Sequence, residues 1–311
     1  MALLVALVSG AVAMRDWLGL RLAPVRVPHP TIEYLYAPNQ ESVRAGAPIR
    51  VNAYGMRSEP FPAQRTSTEE LRVMVFGDSV LAAPGLTGQD QLATTLLQRR
   101  LAQELGRPVV VGNISTGSWG PANWLAYARA FGFFDADIIL LVASGHDLVD
   151  HPQFLPMHPE PRPVPDLLVP LAEFASRQRL RVIDALASDP PAPSSAVAHS
   201  YPPLDPDLMR RGLDDLRAFL ALALNQTARV RVLLHPEQPE LQGALHPGRL
   251  QIAALAEQMA IPVLLPDERY RAAAAAGEGP FLDLIHPSDA GHRLLAGLLR
   301  EEVVEALAGS Q

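Results

Sequence analysis

Leu71-Arg-Val-Met-Val-Phe-Gly-Asp-Ser79 is the stretch of sequence that decides the fold of this chain. Its residues 71 to 76 are mostly apolar and rich in valine, which is typical of a buried strand. Gly77 ends the run, and an apolar pattern with helical spacing extends from about Gln91 to Leu105. A serine between such a strand and helix lies at the carboxyl edge of a parallel sheet, where a helix amino terminus favours negative charge. Ser79 is therefore a candidate nucleophile, although the tripeptide also suits a simple helix cap by Asp78 or Ser79.

The remainder of the chain alternates between strand-like and helix-like patterns. This alternation predicts an α/β fold of three α/β/α layers, in which helices cover both faces of a mostly parallel sheet. The predicted strands span residues 71–76, 109–113, 137–143, 229–234 and 261–265. The predicted helices span residues 91–105, 121–132, 206–224, 247–259 and 289–307.

A second polar segment, Asp283-Leu-Ile-His286, lies far along the chain, just before the last predicted helix. A serine hydroxyl is a weak nucleophile unless a base takes its proton and a third group orients that base. Asp283 and His286 supply a carboxylate and an imidazole that a turn can point into one cleft. A solvated loop histidine and an ordinary turn aspartate are the alternative interpretation.

Gly77-Asp78-Ser79 and Asp283-x-x-His286 together resemble the first and last blocks of the SGNH, or GDSL-type, hydrolase superfamily, in particular its bacterial envelope members. The resemblance implies a flavodoxin-like sheet, with Ser79 as nucleophile, His286 as general base and Asp283 as the carboxylate that orients it. It implies no cofactor. The Gly-x-Ser-x-Gly elbow of the common α/β-hydrolases is absent, because the second residue after Ser79 is not glycine.

The resemblance also implies an oxyanion hole, formed by the Ser79 N–H, a second backbone N–H and a third side chain. The loop after residues 109–113 offers Gly117 or Ser118 as the second donor, since only a backbone N–H is required. The third block reads Ser144-Gly145-His146-Asp147, so a histidine replaces the family's asparagine. Either His146 donates in its place or the site is weakened, and losing one such donor costs about 10²–10³ in rate.

Three further regions are delimited by composition. Residues 1–23 begin with an apolar stretch, which predicts a signal-anchor or signal peptide, or alternatively an amphipathic helix; the stretch falls short of the roughly 20 residues of a spanning helix. Residues 24–68 form an N-terminal arm. Residues 69–311 form the hydrolase-like domain, with a proline-rich insertion at 150–205 that is either a lid or acceptor-recognition element or a surface excursion.

Within the arm, Asn52-Ala-Tyr-Gly55-Met-Arg57 resembles a segment that precedes the Gly-Asp-Ser block in envelope members of the superfamily. Together with the apolar amino terminus, it favours a location in the cell envelope or periplasm, with a membrane tether as an option. A cytoplasmic location is also compatible with the sequence.

Composition excludes several classes of function. The chain has 311 residues, a net charge of −7, no lysine and no cysteine. It therefore has no basic footprint for nucleic acid, and it can form neither disulfides nor thiolate metal sites. The run His146-Asp147-Leu-Val-Asp150-His151 would suit a metal if it were helical. No histidine pattern elsewhere completes such a site, so no metal is predicted.

These observations predict a serine acyl-ester hydrolase or O-acyltransferase, with O-acyl groups of envelope or extracellular polysaccharide as the expected substrate. Two alternatives remain open from the sequence. One is a catalytically weak or inactive SGNH-like protein that binds carbohydrate or serves as a scaffold. The other is an esterase of the lipase or thioesterase type.

Overall fold

The structure is a computed structural model, and it describes residues 25–44, 47–83, 87–155, 201 and 203–309. The arm begins with two antiparallel pairs of short strands. β1 (Arg26–His29) pairs with β2 (Glu33–Tyr36), and β3 (Gln40–Arg44) pairs with β4 (Ala47–Val51). The sequence pattern at Ile32–Tyr36 and Ile49–Asn52 is strand-like and matches β2 and β4, whereas β1 and β3 have no such pattern.

A parallel sheet forms the centre of the described part of the chain. Its strands are β5 (Leu71–Gly77), β6 (Val109–Ser115), β7 (Ile138–Ala143), β8 (Val230–Leu234) and β9 (Val263–Leu264). Their order across the sheet is β6-β5-β7-β8-β9, and every neighbouring pair is parallel. This is the flavodoxin-like order 2-1-3-4-5, whose ligand sites lie at the carboxyl ends of the strands.

Helices cover both faces of the sheet in the described residues. They are α1 (Ser79–Ala82), α2 (Ala93–Leu105), α3 (Pro121–Phe131), α4 (Pro206–Gln226), α5 (Pro247–Gln258), α6 (Asp267–Ala275) and α7 (Asp289–Ala308). Short 3₁₀ turns span Gln89–Gln91, Gly145–Val149 and Gln238–Gln242.

Alternating side chains of the central strands divide the core into two layers. Met74 and Phe76 of β5 pack in the layer that contains α3, α4 and α5. Val73 and Val75 of the same strand pack in the layer that contains α2, α6 and α7. Because both faces of β5 are buried, the strand reads as a nearly continuous apolar run, as is usual in parallel sheets.

The structure confirms the predicted fold class, a three-layer α/β/α sandwich with a parallel sheet. Each predicted strand and helix ends within two residues of its observed bounds. The sequence patterns missed α1, which has four residues, and the alanine-rich α6. Residues 1–23 and most of the 150–205 insertion lie outside the described residues. Among the helices that the structure describes, none has the length and apolar character needed to cross a membrane.

Candidate active site

Ser79 lies on a tightly packed turn at the carboxyl end of β5. A Cβ atom on Gly77 would lie 2.7 Å from Leu81 Cδ1 and 3.0 Å from the Val142 carbonyl oxygen, so a side chain here would crowd both neighbours. The Gly77 carbonyl accepts a hydrogen bond of 2.8 Å from the Trp124 indole N–H. Asp78 caps α1, because its Oδ1 accepts from the Val80 N–H at 2.9 Å. The capping role considered for Asp78 is therefore present, and it leaves Ser79 as the first helical residue, with a half-buried side chain.

The structure brings together the three residues that sequence reasoning had assigned to nucleophilic chemistry. Ser79 Oγ lies 3.0 Å from His286 Nε2, and His286 Nδ1 lies 2.7 Å from Asp283 Oδ2. With its Nδ1–H donated to the carboxylate, the imidazole presents Nε2 as an acceptor for the serine proton. This is the geometry of an activated serine, although the catalytic roles themselves stay predictions.

Asp283 also shapes the loop that carries it. Its Oδ1 accepts hydrogen bonds from the backbone N–H groups of Ile285 and His286, at 2.9 and 2.8 Å. Partial burial favours the neutral acid, but these two donors and His286 outweigh it and lower the pKa of Asp283 below its ordinary value. The carboxylate therefore stays ionised near neutral pH, in a side chain that is 51% exposed.

A buried histidine that sequence reasoning missed supports the same loop. His235 directly follows β8, and its Nε2–H donates to the Ile285 carbonyl at 2.8 Å. Its Nδ1 accepts from the Tyr270 hydroxyl at 3.1 Å. Burial lowers the pKa of His235 to about 4, so the ring is neutral and can make both bonds. The available signal was its position at the carboxyl end of a predicted strand.

The loop after β6 carries the predicted backbone donors of the oxyanion hole. Ser115 pairs with Gly77 in the sheet register, so Gly117 and Ser118 follow β6 at the same edge at which Ser79 follows β5. The Tyr34 hydroxyl donates to the Gly117 carbonyl, and Ser118 adopts a left-handed conformation with φ of 56°. Their function as oxyanion donors stays a prediction.

His146 is surrounded by carboxylate side chains. Its Nδ1 is 3.3 Å from Glu237 Oε1, and its Nε2 is 3.3 Å from Asp147 Oδ1 and 3.5 Å from Asp78 Oδ2. Both ring nitrogens therefore face acidic side chains in this arrangement. Direct donation by His146 to an oxyanion stays a prediction, and it would require one of these nitrogens to turn away from its carboxylate.

The carboxylates determine the charge of His146. Burial alone would lower the pKa of the ring, but Asp147, Asp78 and Glu237 outweigh it and raise that pKa to about 12. The same pairing works in the other direction, since burial would raise the pKa values of Asp78 and Glu237, whereas the hydrogen bonds and charge of His146 lower both. Burial and the charge of Asp78 raise the pKa of Asp147.

A metal ion could also use part of this cluster. Ligand atoms of Asp78, His146 and Asp147 lie within 4.8 Å of one another. The run from His146 to His151 does not place its second histidine in this cluster, because His151 Nε2 lies 2.9 Å from the Leu208 carbonyl oxygen. A protonated imidazole accounts for the same close approach of His146 to its acidic neighbours.

The Asn52-x-x-Gly55-x-Arg57 motif of the arm supports the helix that carries Ser79. Asn52 Oδ1 accepts from the N–H groups of Tyr54 and Met56, which closes the turn at Gly55. Arg57 is 1% exposed and donates to three carbonyls at and just beyond the end of α1, those of Ala82, Ala83 and Thr87. The arm is therefore packed against the nucleophile region.

The sheet order and the Ser79–His286–Asp283 arrangement have the geometry expected of a serine-hydrolase site. The chain belongs to the GDSL-like lipase/acylhydrolase family, whose model matches residues 75–294. This match confirms the superfamily predicted from sequence. No curated protein matches the chain in sequence.

Several solved structures are similar to this chain. One is a lipase/acylhydrolase from Enterococcus faecalis, with 13% identity over 75% of this chain and 95% of that chain, and a TM-score of 0.45. A second is a member of the lipolytic G-D-S-L family from Veillonella parvula, with 12% identity over 76% of this chain and 97% of that chain, and a TM-score of 0.45. A third is a two-domain esterase active on acetylated mannans, with 11% identity, coverage of 76% and 50%, and a TM-score of 0.48.

Proposed function

We propose that this protein hydrolyses acyl esters through an acyl-serine intermediate. The observation that carries this proposal is the continuous hydrogen-bonded chain from Ser79 Oγ through the His286 ring to Asp283 Oδ2, with contacts of 3.0 and 2.7 Å. Such a chain lets the imidazole take the serine proton while the carboxylate stabilises the imidazolium that results.

In the first half of the reaction, the proton of the Ser79 hydroxyl moves to His286 Nε2 as Oγ bonds to the ester carbonyl carbon. The carbonyl oxygen becomes an oxyanion, and the backbone N–H groups of Ser79 and of Gly117 or Ser118 stabilise it. His286 then returns the proton to the leaving alkoxide as the ester C–O bond breaks. In the second half, His286 takes a proton from water or a sugar hydroxyl as that oxygen attacks the acyl-serine carbonyl, and returns the proton to Ser79 Oγ as the Oγ–acyl bond breaks. The acceptor decides between hydrolysis and acyl transfer.

The substrates that we favour are O-acetyl groups on envelope or extracellular polysaccharide, with the protein acting in the envelope or periplasm. Two features of the sequence support this choice. They are the resemblance of the Asn52–Arg57 motif to envelope members of the superfamily and the apolar stretch at Met1–Met14.

A non-catalytic binding or scaffold protein is the second candidate. The observation that favours it is the position of His146, whose two ring nitrogens face carboxylates where the family's asparagine would donate to the oxyanion. In that case the Ser79–His286–Asp283 geometry would be retained without turnover.

The test compares wild-type protein with Ser79→Ala, using p-nitrophenyl acetate and an acetylated oligosaccharide as substrates. We expect kcat to fall by at least about 10⁴ in the variant, because no other group replaces the nucleophile. Ser67→Ala, an exposed position on the arm, is the matched control and should retain wild-type rates. Equal rates in wild-type and Ser79→Ala protein would contradict the proposed function.

A further inference from the structure

A buried carboxylate lies directly beside the candidate nucleophile. Asp78 is 1% exposed, and its Oδ2 lies 3.3 Å from Ser79 Oγ. This anion presents two problems for the proposed reaction. It competes with His286 for the single proton of the serine hydroxyl, and its charge opposes the negative charge that develops on the reacting oxygens, in a setting where screening by water is weak.

We propose that His146 is a fixed cation that neutralises Asp78 beside the nucleophile, in contrast to the asparagine of the family, which donates a neutral N–H to the oxyanion. This role would make His146 a positioning and charge-compensating residue. It would also explain why a histidine is compatible with activity at this place in the fold.

The geometry favours hydrogen on both ring nitrogens. An ionised carboxylate only accepts hydrogen bonds, and His146 has such a group on each side. Glu237 Oε1 lies 3.3 Å from Nδ1, and Asp78 Oδ2 lies 3.5 Å from Nε2, next to Asp147 Oδ1 at 3.3 Å. A neutral imidazole carries one N–H and would leave one of these contacts between two acceptors. The doubly protonated ring satisfies both.

The electrostatics agree with this geometry. The pKa of His146 is raised to about 12 despite its burial, whereas the pKa values of Asp78 and Glu237 are lowered despite theirs. The other titratable groups near the ring are Asp147 and Asp150, from its own turn, and His235 and His246, from the segments after β8. The pKa values of His235 and His246 are lowered by burial, so these two rings add no positive charge near neutral pH.

Because this inference rests on the proposed function, the experiment first establishes that wild-type protein is active and that Ser79→Ala is not. It then compares His146→Asn, Asp78→Asn and the double variant by kcat and KM on p-nitrophenyl acetate. Asparagine caps helices as well as aspartate does, so Asp78→Asn preserves the start of α1. His151→Asn, five residues further along the chain than His146, is the matched control, and its kcat should match that of wild-type protein.

We expect His146→Asn to lower kcat by about 10²-fold, comparable to the loss of one oxyanion-stabilising group, with a smaller change in KM. The double variant should recover at least about tenfold of that loss, because the charge that His146 neutralised is then also absent. Unchanged or faster turnover in His146→Asn would overturn the inference. So would a double variant slower than either single variant.

The pH profile separates charge compensation from a loss of structure. Without the cation, burial raises the pKa of Asp78, so the carboxyl becomes neutral at a higher pH than in wild-type protein. The ratio of kcat in His146→Asn to kcat in wild-type protein should therefore increase as pH falls towards the raised pKa of the Asp78 carboxyl in the variant. A ratio that stays constant would contradict charge compensation.

Two further measurements complete the design. If His146→Asn fails to fold, as judged by urea unfolding, Glu237→Gln removes one of the carboxylates that hold the ring charged and leaves Asp78 intact. A loss of about tenfold is expected for that variant, and no loss would count against the inference. Dialysis against a chelator should leave wild-type kcat unchanged; a loss that Zn²⁺ restores would show that the cluster binds metal instead.

Discussion

Ser79 and His286 are joined by one hydrogen bond, but they lie in two regions that are stabilised differently. The turn that carries Ser79 is enclosed by packing, with Gly77 against Leu81 and with α1 held by the fully buried Arg57. The Asp283–His286 segment is a loop with little apolar packing, in which Asp283 is exposed and hydrogen bonds fix the backbone.

This difference predicts whether a mutation in each region affects mainly the stability of the domain or mainly the reaction. The nucleophile side depends on many contacts that connect distant parts of the chain, so a disturbance there should reduce the stability of the whole domain. The base side depends on a few hydrogen bonds, from Asp283 and from His235, so a disturbance there should affect the reaction more than the fold.

The largest effect is expected from the base side of this comparison. His286→Ala removes the group that takes the serine proton, and we expect kcat on p-nitrophenyl acetate to fall by at least about 10⁴. Asp283→Asn should cost roughly 10- to 100-fold less than His286→Ala, because the carboxylate orients the base and does not itself react. His29→Ala on β1 is the control and should retain wild-type kcat. Equal losses in the His286 and Asp283 variants would contradict this division of roles.

The nucleophile side should respond mainly in stability. Arg57→Ala leaves the Ala82, Ala83 and Thr87 carbonyls without their donors, and each unsatisfied buried group costs about 1–3 kcal/mol. We expect the free energy of unfolding in urea to decrease by about 3–5 kcal/mol. The control is Arg50→Ala, whose side chain is 42% exposed and pairs with Glu59, and it should cost less than about 1 kcal/mol. If the free energy of unfolding fell by a similarly small amount in both variants, the role of Arg57 in holding this region together would be contradicted.

The smallest effect is expected in the pH dependence of stability. His235 is held neutral, with its pKa lowered to about 4, whereas an unfolded histidine titrates near about 6.5. The unfolded state therefore binds more protons in this window, so the contribution of His235 is complete above about pH 6.5 and is lost as pH falls towards 4.

The slope from this residue is up to about 1.4 kcal/mol per pH unit. His292 contributes with the same sign, since burial lowers its pKa to about 3. His235→Gln removes one of these histidine titrations and keeps an N–H for the Ile285 carbonyl. The variant should therefore show a shallower loss of unfolding free energy below about pH 6.5. An unchanged slope would mean that the pKa of His235 does not differ between the folded and unfolded states.

The fold was predictable because its signals are local. The valine-rich run before Gly77 and the apolar helical pattern after Ser288 are each readable within about twenty residues. The short α1 gave no periodic signal because it has a single turn, and the arm strands β1 and β3 are too short and polar to be separated from turn residues.

The site was predictable only in part, for the same physical reason. Ser79, Asp283 and His286 occur in short motifs, whereas His235 and Glu237 become relevant only because β8 lies beside β7. The pairing of His146 with Asp78 likewise depends on the adjacency of β5 and β7 in the sheet. The sequence identified His146 as unusual, but only the spatial arrangement of these strands reveals the carboxylates around it.

The central claim is that Ser79 is an activated nucleophile, and covalent labelling tests it most directly. Wild-type protein treated with a serine-directed fluorophosphonate should acquire one adduct per chain, mapped by mass spectrometry to Ser79, and Ser79→Ala should acquire none. An adduct at another serine, or no adduct on protein shown to be folded by its urea transition, would contradict the account.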